Sequence, residues 1–190
     1  TNLNSFIDVE YGNGPRGFFE KSILCFPESY GASATFGTLV HDGFNFIQDK
    51  INAGETPNYE QNKKRFSEKI EKYPLLANEK TELFERFTQI FARIFEKSLD
   101  DFQAGNIAEK NFSSAGVMIG DALLTGKIDL IKIDKTNKKI TVLDWKTGSI
   151  PLAQNGKFSR STAKIHKYEQ QLYFYKILIE NSPEFAGFKV

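Results

Sequence analysis

Apolar residues recur at helical spacing through the first half of the chain and at alternating spacing through much of the second. In residues 37–51, Leu39, Val40, Phe44 and Ile47 fall on one helical face, and Gly54 stops the run. Residues 53–60 read as a loop. Residues 59–73 read as a second, highly charged helix that ends before Pro74. Residues 78–102 form a third, in which Leu83, Phe84, Phe87, Phe91, Ile94 and Phe95 make a broad apolar stripe suited to a core. Ahead of these, Asn13, Gly14, Pro15 and Gly17 break the chain. Residues 1–36 therefore read as short irregular pieces, with one apolar run ended by Pro27.

The period then changes. Residues 107–120, 121–134 and 138–148 read as three strands, with "KTNKK" turning between the last two. Ile128, Leu130 and Lys132 alternate with Asp129, Ile131 and Ile133. A polar loop leads to a helix over 163–182, with Ile165, Tyr168, Leu172, Tyr175 and Ile179 on one stripe and Pro183 at its end. A last strand begins at Phe188. The order predicts an α+β domain: a mainly helical part, 1–105, ahead of a core sheet with its following helix, 106–190.

Composition narrows the class. The chain has 190 residues, 40% apolar and 26% charged, which suits one ordinary globular domain. No apolar run approaches the roughly 20 residues of a membrane helix, so no membrane partner is expected. Cys25 is the one cysteine, which excludes an internal disulfide, a zinc knuckle or a four-cysteine iron–sulfur site and suits the cytoplasm. The net charge is +1, but it is unevenly spread. Residues 127–176 hold eleven Lys/Arg against four Asp/Glu, and residues 1–126 hold thirteen against eighteen. The basic stretch points mildly to a polyanion; a solvated basic face is the plain alternative. Thr1 at the start and the strand-like "FAGFKV" at the end suggest a piece of a longer protein.

The stretch "TVLDWKTG", residues 141–148, carries the chemistry. In an extended strand Asp144 and Lys146 share a side with Val142, while Thr141, Leu143 and Trp145 face the other way. Pairing about "KTNKK" sets Asp129 opposite Asp144. Two adjacent carboxylates repel unless a cation neutralises them, and carboxylate oxygens suit Mg²⁺ or Mn²⁺. Lys146 beside them can hold a water or offset charge on a phosphate. Asp-x-Lys alone is common, and its plain reading is an ion pair at a strand end. Gln171 and Tyr175, at i and i+4, share one face of the last helix.

Taken in order, Gly126-Lys127-Ile128-Asp129, Asp144-Trp145-Lys146-Thr147-Gly148 and Gln171 to Tyr175 resemble the nuclease domain of RecB and AddA/AddB type in the PD-(D/E)XK nuclease superfamily. "FGTLVH", ending at His41, resembles the upstream helix motif of that family, and Glu109 matches an acid that sits before the first strand in many members. "LNSF…GPRGFFEKSIL" resembles the segment that precedes such domains. The resemblance implies a restriction-endonuclease-like core sheet flanked by helices, α/β/α-like, with a helical region in front. It implies that His41, Asp129, Asp144 and the Trp145 backbone carbonyl bind Mg²⁺, with Mn²⁺ tolerated. Asp129, Asp144 and Lys146 would be catalytic, and Glu109 a further site residue. Gln171 and Tyr175 would meet substrate, with Lys164 and Arg160 near its phosphates. His166 is read as a surface residue. Some relatives hold an iron–sulfur cluster with a cysteine ahead of the early proline and three distal ones. Here Gly14 precedes Pro15 and distal cysteines are missing, so no cluster is expected.

The activity so implied is a metal-dependent deoxyribonuclease, exonuclease rather than endonuclease. Its DNA would be single-stranded, delivered by a UvrD/RecB-like helicase in the same chain or a partner subunit during recombination and repair. The alternative is a silent nuclease fold that binds DNA or a partner subunit.

Overall fold

The computed structural model describes residues 14–26, 31–148 and 163–190, with the side chains of 22 and 163–167 set aside. The chain divides into two compact units, residues 1–31 and 32–190. In the first, Gly14–Phe18 is a short helix, α1, continued by a π turn over Phe19–Ile23. These residues were expected to be irregular; Pro15 sits in the first turn, where its missing N–H costs no helical bond.

The second unit opens with α2, Ala32–Asn52. It starts five residues before the expected Gly37, because Thr35 and Phe36 extend the same buried face. Helix α3, Tyr59–Ile70, is capped by Asn58, whose side chain accepts the Gln61 N–H at 3.1 Å. Helix α4, Ala77–Lys97, begins where Glu79 accepts the Leu76 N–H at 2.9 Å. The predicted stripes of α2 and α4 meet: Leu39, Val40, Phe44 and Ile47 are buried with Leu83, Phe87, Phe91 and Phe66. Phe87 stacks on both Phe66 and Phe91, with centroids 4.0 and 4.1 Å apart. Gly43 lets the helices approach, since a Cβ there would stand 2.6 Å from Phe91 Cζ. Asp42 ties α3 to α2 through Arg65, at 2.8 and 3.0 Å, and Lys69 at 2.5 Å. Burial alone would raise the Asp42 carboxyl, but these two cations outweigh it and hold it below its usual range.

The sheet is antiparallel, in the order β1 (Ile107–Asn111), β4 (Lys127–Asp134), β5 (Lys139–Leu143). The first predicted strand is broken. The Asn111 side chain accepts the Ser113 N–H at 2.8 Å and ends β1, and Met118–Ile119 (β2) and Ala122–Leu123 (β3) form a small separate hairpin. The β4–β5 register pairs Leu130 with Leu143 and Asp134 with Lys139, about the predicted turn. Asp134 closes that turn by accepting the Asn137 N–H at 2.9 Å. Near the C-terminus a parallel bridge joins Lys139 and Lys189 in place of a full strand.

Helix α5, Ala163–Glu180, covers one face of this sheet. Among its described side chains the buried ones are Tyr175, Leu178 and Ile179, packed with Ile128, Ile131 and Ile140. The predicted stripe holds at Tyr175 and Ile179 but fails at Leu172, which is 47% exposed; the side chain of Ile165 lies outside the described residues. Gly126 admits α5, because a Cβ there would stand 2.7 Å from Leu178 Cδ1. On the other side α2 packs against β1. Buried Gln48 donates to the Gln103 carbonyl at 2.8 Å and Asn52 to the Asn106 carbonyl at 3.1 Å, so α2 grips the turn that launches β1. The result is a sheet between two helical layers.

Candidate active site

Three acids stand in a row across the sheet. The β1–β4 register pairs Ala108 with Leu130 and Lys110 with Ile128, which sets Glu109 against Asp129. The β4–β5 register, continued one step past Leu130 and Leu143, sets Asp129 against Asp144. Glu109 has a left-handed backbone at φ 52 in the middle of its strand, not ahead of it. For a residue with a Cβ that conformation costs about 1–3 kcal/mol, and such strain gathers at functional positions.

Helix α2 delivers His41 to this row. Its Nδ1 lies 3.2 Å from Asp129 Oδ1 and 3.4 Å from Glu109 Oε1, and its Nε2 lies 3.1 Å from the Trp145 backbone oxygen. Both ring nitrogens thus face acceptors, which the doubly protonated ring satisfies. The Asp129 carboxylate first, then that of Glu109, pushes the His41 pKa up to about 10 against the opposing pull of burial. In turn the His41 ring, followed by Lys127, holds the Glu109 carboxyl below its usual range although burial opposes it. The Trp145 N–H donates to Asp129 Oδ2 at 2.8 Å. Its indole packs on Phe44 and Phe102, with centroids 4.2 and 5.8 Å away, so the core on the α2 side anchors the loop that follows β5.

A second group lies on the α5 side. Lys146 Nζ is 2.5 Å from Asp144 Oδ2 and donates to Gln171 Oε1 at 2.8 Å. Gln171 Nε2 donates to the Tyr175 hydroxyl at 2.5 Å, and that hydroxyl donates to Asp144 Oδ1 at 3.1 Å. The four side chains close a ring. Lys146 Nζ also sits 5.2 Å from the centre of the Tyr168 ring, a cation–π contact. Burial, reinforced by Asp144, raises the Tyr175 hydroxyl pKa, so it stays a donor.

Among the described residues, the group with ligand atoms within 4.8 Å of one another is His41, Glu109 and Asp129. Glu109 stands within that group and Asp144 outside it, its two oxygens meeting Lys146 and Tyr175. The donor set suits a hard divalent cation: two carboxylates, an imidazole and a nearby carbonyl. Glu109 Oε1 fits the same purpose, being buried without a hydrogen-bond partner; its 3.4 Å approach to His41 is an ion pair only. Gln171 and Tyr175 bond to each other and to the Lys146–Asp144 pair. Arg160, and the side chains of Lys164 and His166, lie outside the described residues. Two neighbours escaped the sequence reading. Tyr168 reads as one more stripe residue, and Lys127 as the variable position of the Gly-x-Ile-Asp motif.

A family model described as the PD-(D/E)XK nuclease superfamily matches residues 9–187. The chain belongs to the PD-(D/E)XK nuclease superfamily. No curated protein and no solved structure gives a significant match. The mixed helix and sheet architecture agrees with that fold, and the superfamily is one of nucleases, hydrolases that generally use a divalent metal. His41, Glu109 and Asp129 give this PD-(D/E)XK chain its candidate metal site. No helix among the described residues is long and apolar enough to cross a membrane.

Proposed function

We propose that this protein is a metal-dependent DNA nuclease of RecB/AddAB type. The observation that carries the reading is the convergence of His41, Glu109 and Asp129 on one point, with the Asp144–Lys146 pair on the neighbouring strand end. A divalent cation bound there, Mg²⁺ or Mn²⁺, would supply Lewis acidity and a water of lowered pKa.

The chain's own groups do the rest. Asp129, Glu109 and His41 hold the cation, with the Trp145 carbonyl beside them. Asp144 positions Lys146. Lys146 orients the attacking water and offsets the charge that builds on the scissile phosphate. Gln171 and Tyr175 keep Lys146 and Asp144 in register. The product carries a 5′-phosphate, as resemblance to the RecB type implies.

The same resemblance supports a single domain over 1–190 that acts as an exonuclease on single-stranded DNA fed by a UvrD/RecB-like helicase, in recombination and repair. The excess of Lys and Arg over 127–176 suits a backbone-led grip on DNA. The test is incubation with labelled single- and double-stranded DNA in Mg²⁺, Mn²⁺ or EDTA, beside Lys146→Ala and Asp129→Ala. Metal-dependent cutting lost in both variants supports the reading. Tight DNA binding without cutting in either metal would convert it to a silent binding module.

A further inference from the structure

We infer that Lys127 is a phosphate-holding residue, paired with Glu109 in the free protein and turned to the DNA backbone once a divalent cation takes that carboxylate. This rests on the nuclease reading and adds a coupling between metal and substrate within it.

Lys127 opens β4 two residues before Asp129, so both side chains emerge on the same side of the strand, about 7 Å apart along it. Its ammonium pairs with Glu109 Oε2, yet the side chain is 57% exposed. Glu109 thus carries two cations at once, His41 on one oxygen and Lys127 on the other. A carboxylate drawn into the coordination of a divalent ion cannot hold an ammonium equally well, because the ion repels it and the shared charge is spent. Lys127 is then released to meet another anion.

The space it faces is suited to one. A cleft of about 640 Å³ lies beside the cluster, walled by Thr38, Asn45, Asn111 and Lys127 along with His41 and Asp129. Asn111 uses its side-chain oxygen on Ser113, so its NH₂ is what it can offer a ligand. The other carboxylate on the wall, Asp42, is neutralised by Arg65 and Lys69 and does not repel an anion. The Asn111 NH₂ and one releasable cation beside the His41, Glu109 and Asp129 group describe a seat for a phosphate next to the scissile one.

The experiment uses the salt dependence of binding, not turnover. In a Lys146→Ala background, the affinity for a fluorescent single-stranded oligodeoxynucleotide is measured against salt, in Mg²⁺ and in EDTA. Losing one phosphate contact lowers the slope of log affinity against log salt by about 0.7 for a single strand. Adding Lys127→Ala should produce that drop in Mg²⁺ and none in EDTA, and Lys127→Arg should restore the slope. Glu109→Gln, which frees Lys127 without any cation, should raise the EDTA slope by the same amount. Equal slopes with and without Lys127 in Mg²⁺, or an equal drop in EDTA, would overturn the coupling while leaving the nuclease reading intact. A protein that binds no DNA under any condition would overturn both, whereas the expected slopes without cutting by the unmutated chain would sink only the catalytic reading.

Discussion

The backbone N–H of Trp145 donates to Asp129 Oδ2 at 2.8 Å across 16 residues of chain. One bond therefore sets the angle of the central acid and the position of the loop whose carbonyl faces His41. The loop is held from behind by the Trp145 indole on Phe44 and Phe102. Trp145→Ala should cost about 2–3 kcal/mol, less than a fully buried tryptophan would, and should weaken Mn²⁺ binding in parallel. Trp145→Phe should keep most of both. Thermal melts and a Mn²⁺ titration on the same samples check the pair of effects.

Ion binding must displace the proton that Asp129 and Glu109 stabilise on His41. With a pKa pushed up to about 10, the ring is charged at neutral pH. Mn²⁺ affinity should therefore rise steadily between pH 7 and 9, with release of about one proton per ion. Calorimetry in buffers of different ionisation enthalpy reads that proton, and His41→Asn should abolish its release.

The same shift sets the stability of the metal-free protein. The folded pKa lies above the ordinary 6.5, so the contribution is fully present below about pH 6.5 and fades as pH rises through 10. Urea midpoints in EDTA should fall between pH 7 and 10 more steeply for the parent than for His41→Asn. Equal slopes would show that the ring gains nothing from its two carboxylates.

Gln171 holds Lys146 at 2.8 Å and passes its own N–H to Tyr175. Gln171→Leu should leave DNA affinity near the parent value and lower kcat by about ten- to a hundredfold, because the ammonium loses its second anchor. Tyr175→Phe should cost about 1 kcal/mol of stability through the unpaired Gln171 and Asp144 groups. A change confined to KM would assign Gln171 to substrate contact instead.

Gly43→Ala places a methyl against Phe91 and Phe87, with Cβ distances of 2.6 and 3.1 Å. Overpacking of this kind costs about 1–3 kcal/mol, or a fall in Tm of roughly 2–12 °C. Differential scanning calorimetry checks it.

The helices over 37–51 and 78–102 were legible because long stripes of Phe, Leu and Ile repeat at one period, and burial follows that period. The acid pair Asp129 and Asp144 was legible for a similar reason: a four-residue turn between alternating strands permits few registers. The strand over 107–120 was misread because Asn111 turns the chain with its own side chain, a local bond invisible to hydrophobic spacing. The stripe on α5 slipped because the helix carries apolar residues on most of its surface, so period alone does not say which face meets the sheet. Glu109 was found by its position in a family pattern. Its φ of 52 has no signature in composition.

By itself the sequence determined which residues could carry the chemistry: an imidazole on a helix, acids at matching strand positions, and an ammonium two residues beyond one of them. Local spacing suffices for that, since strand and helix geometry follow from a few neighbouring residues. Only the tertiary structure decided how they divide, with Glu109 joining His41 and Asp129 while Asp144 turns to Lys146, Gln171 and Tyr175. That division depends on where α2 and α5 settle on opposite faces of the sheet, and long-range packing, not local pattern, sets those positions.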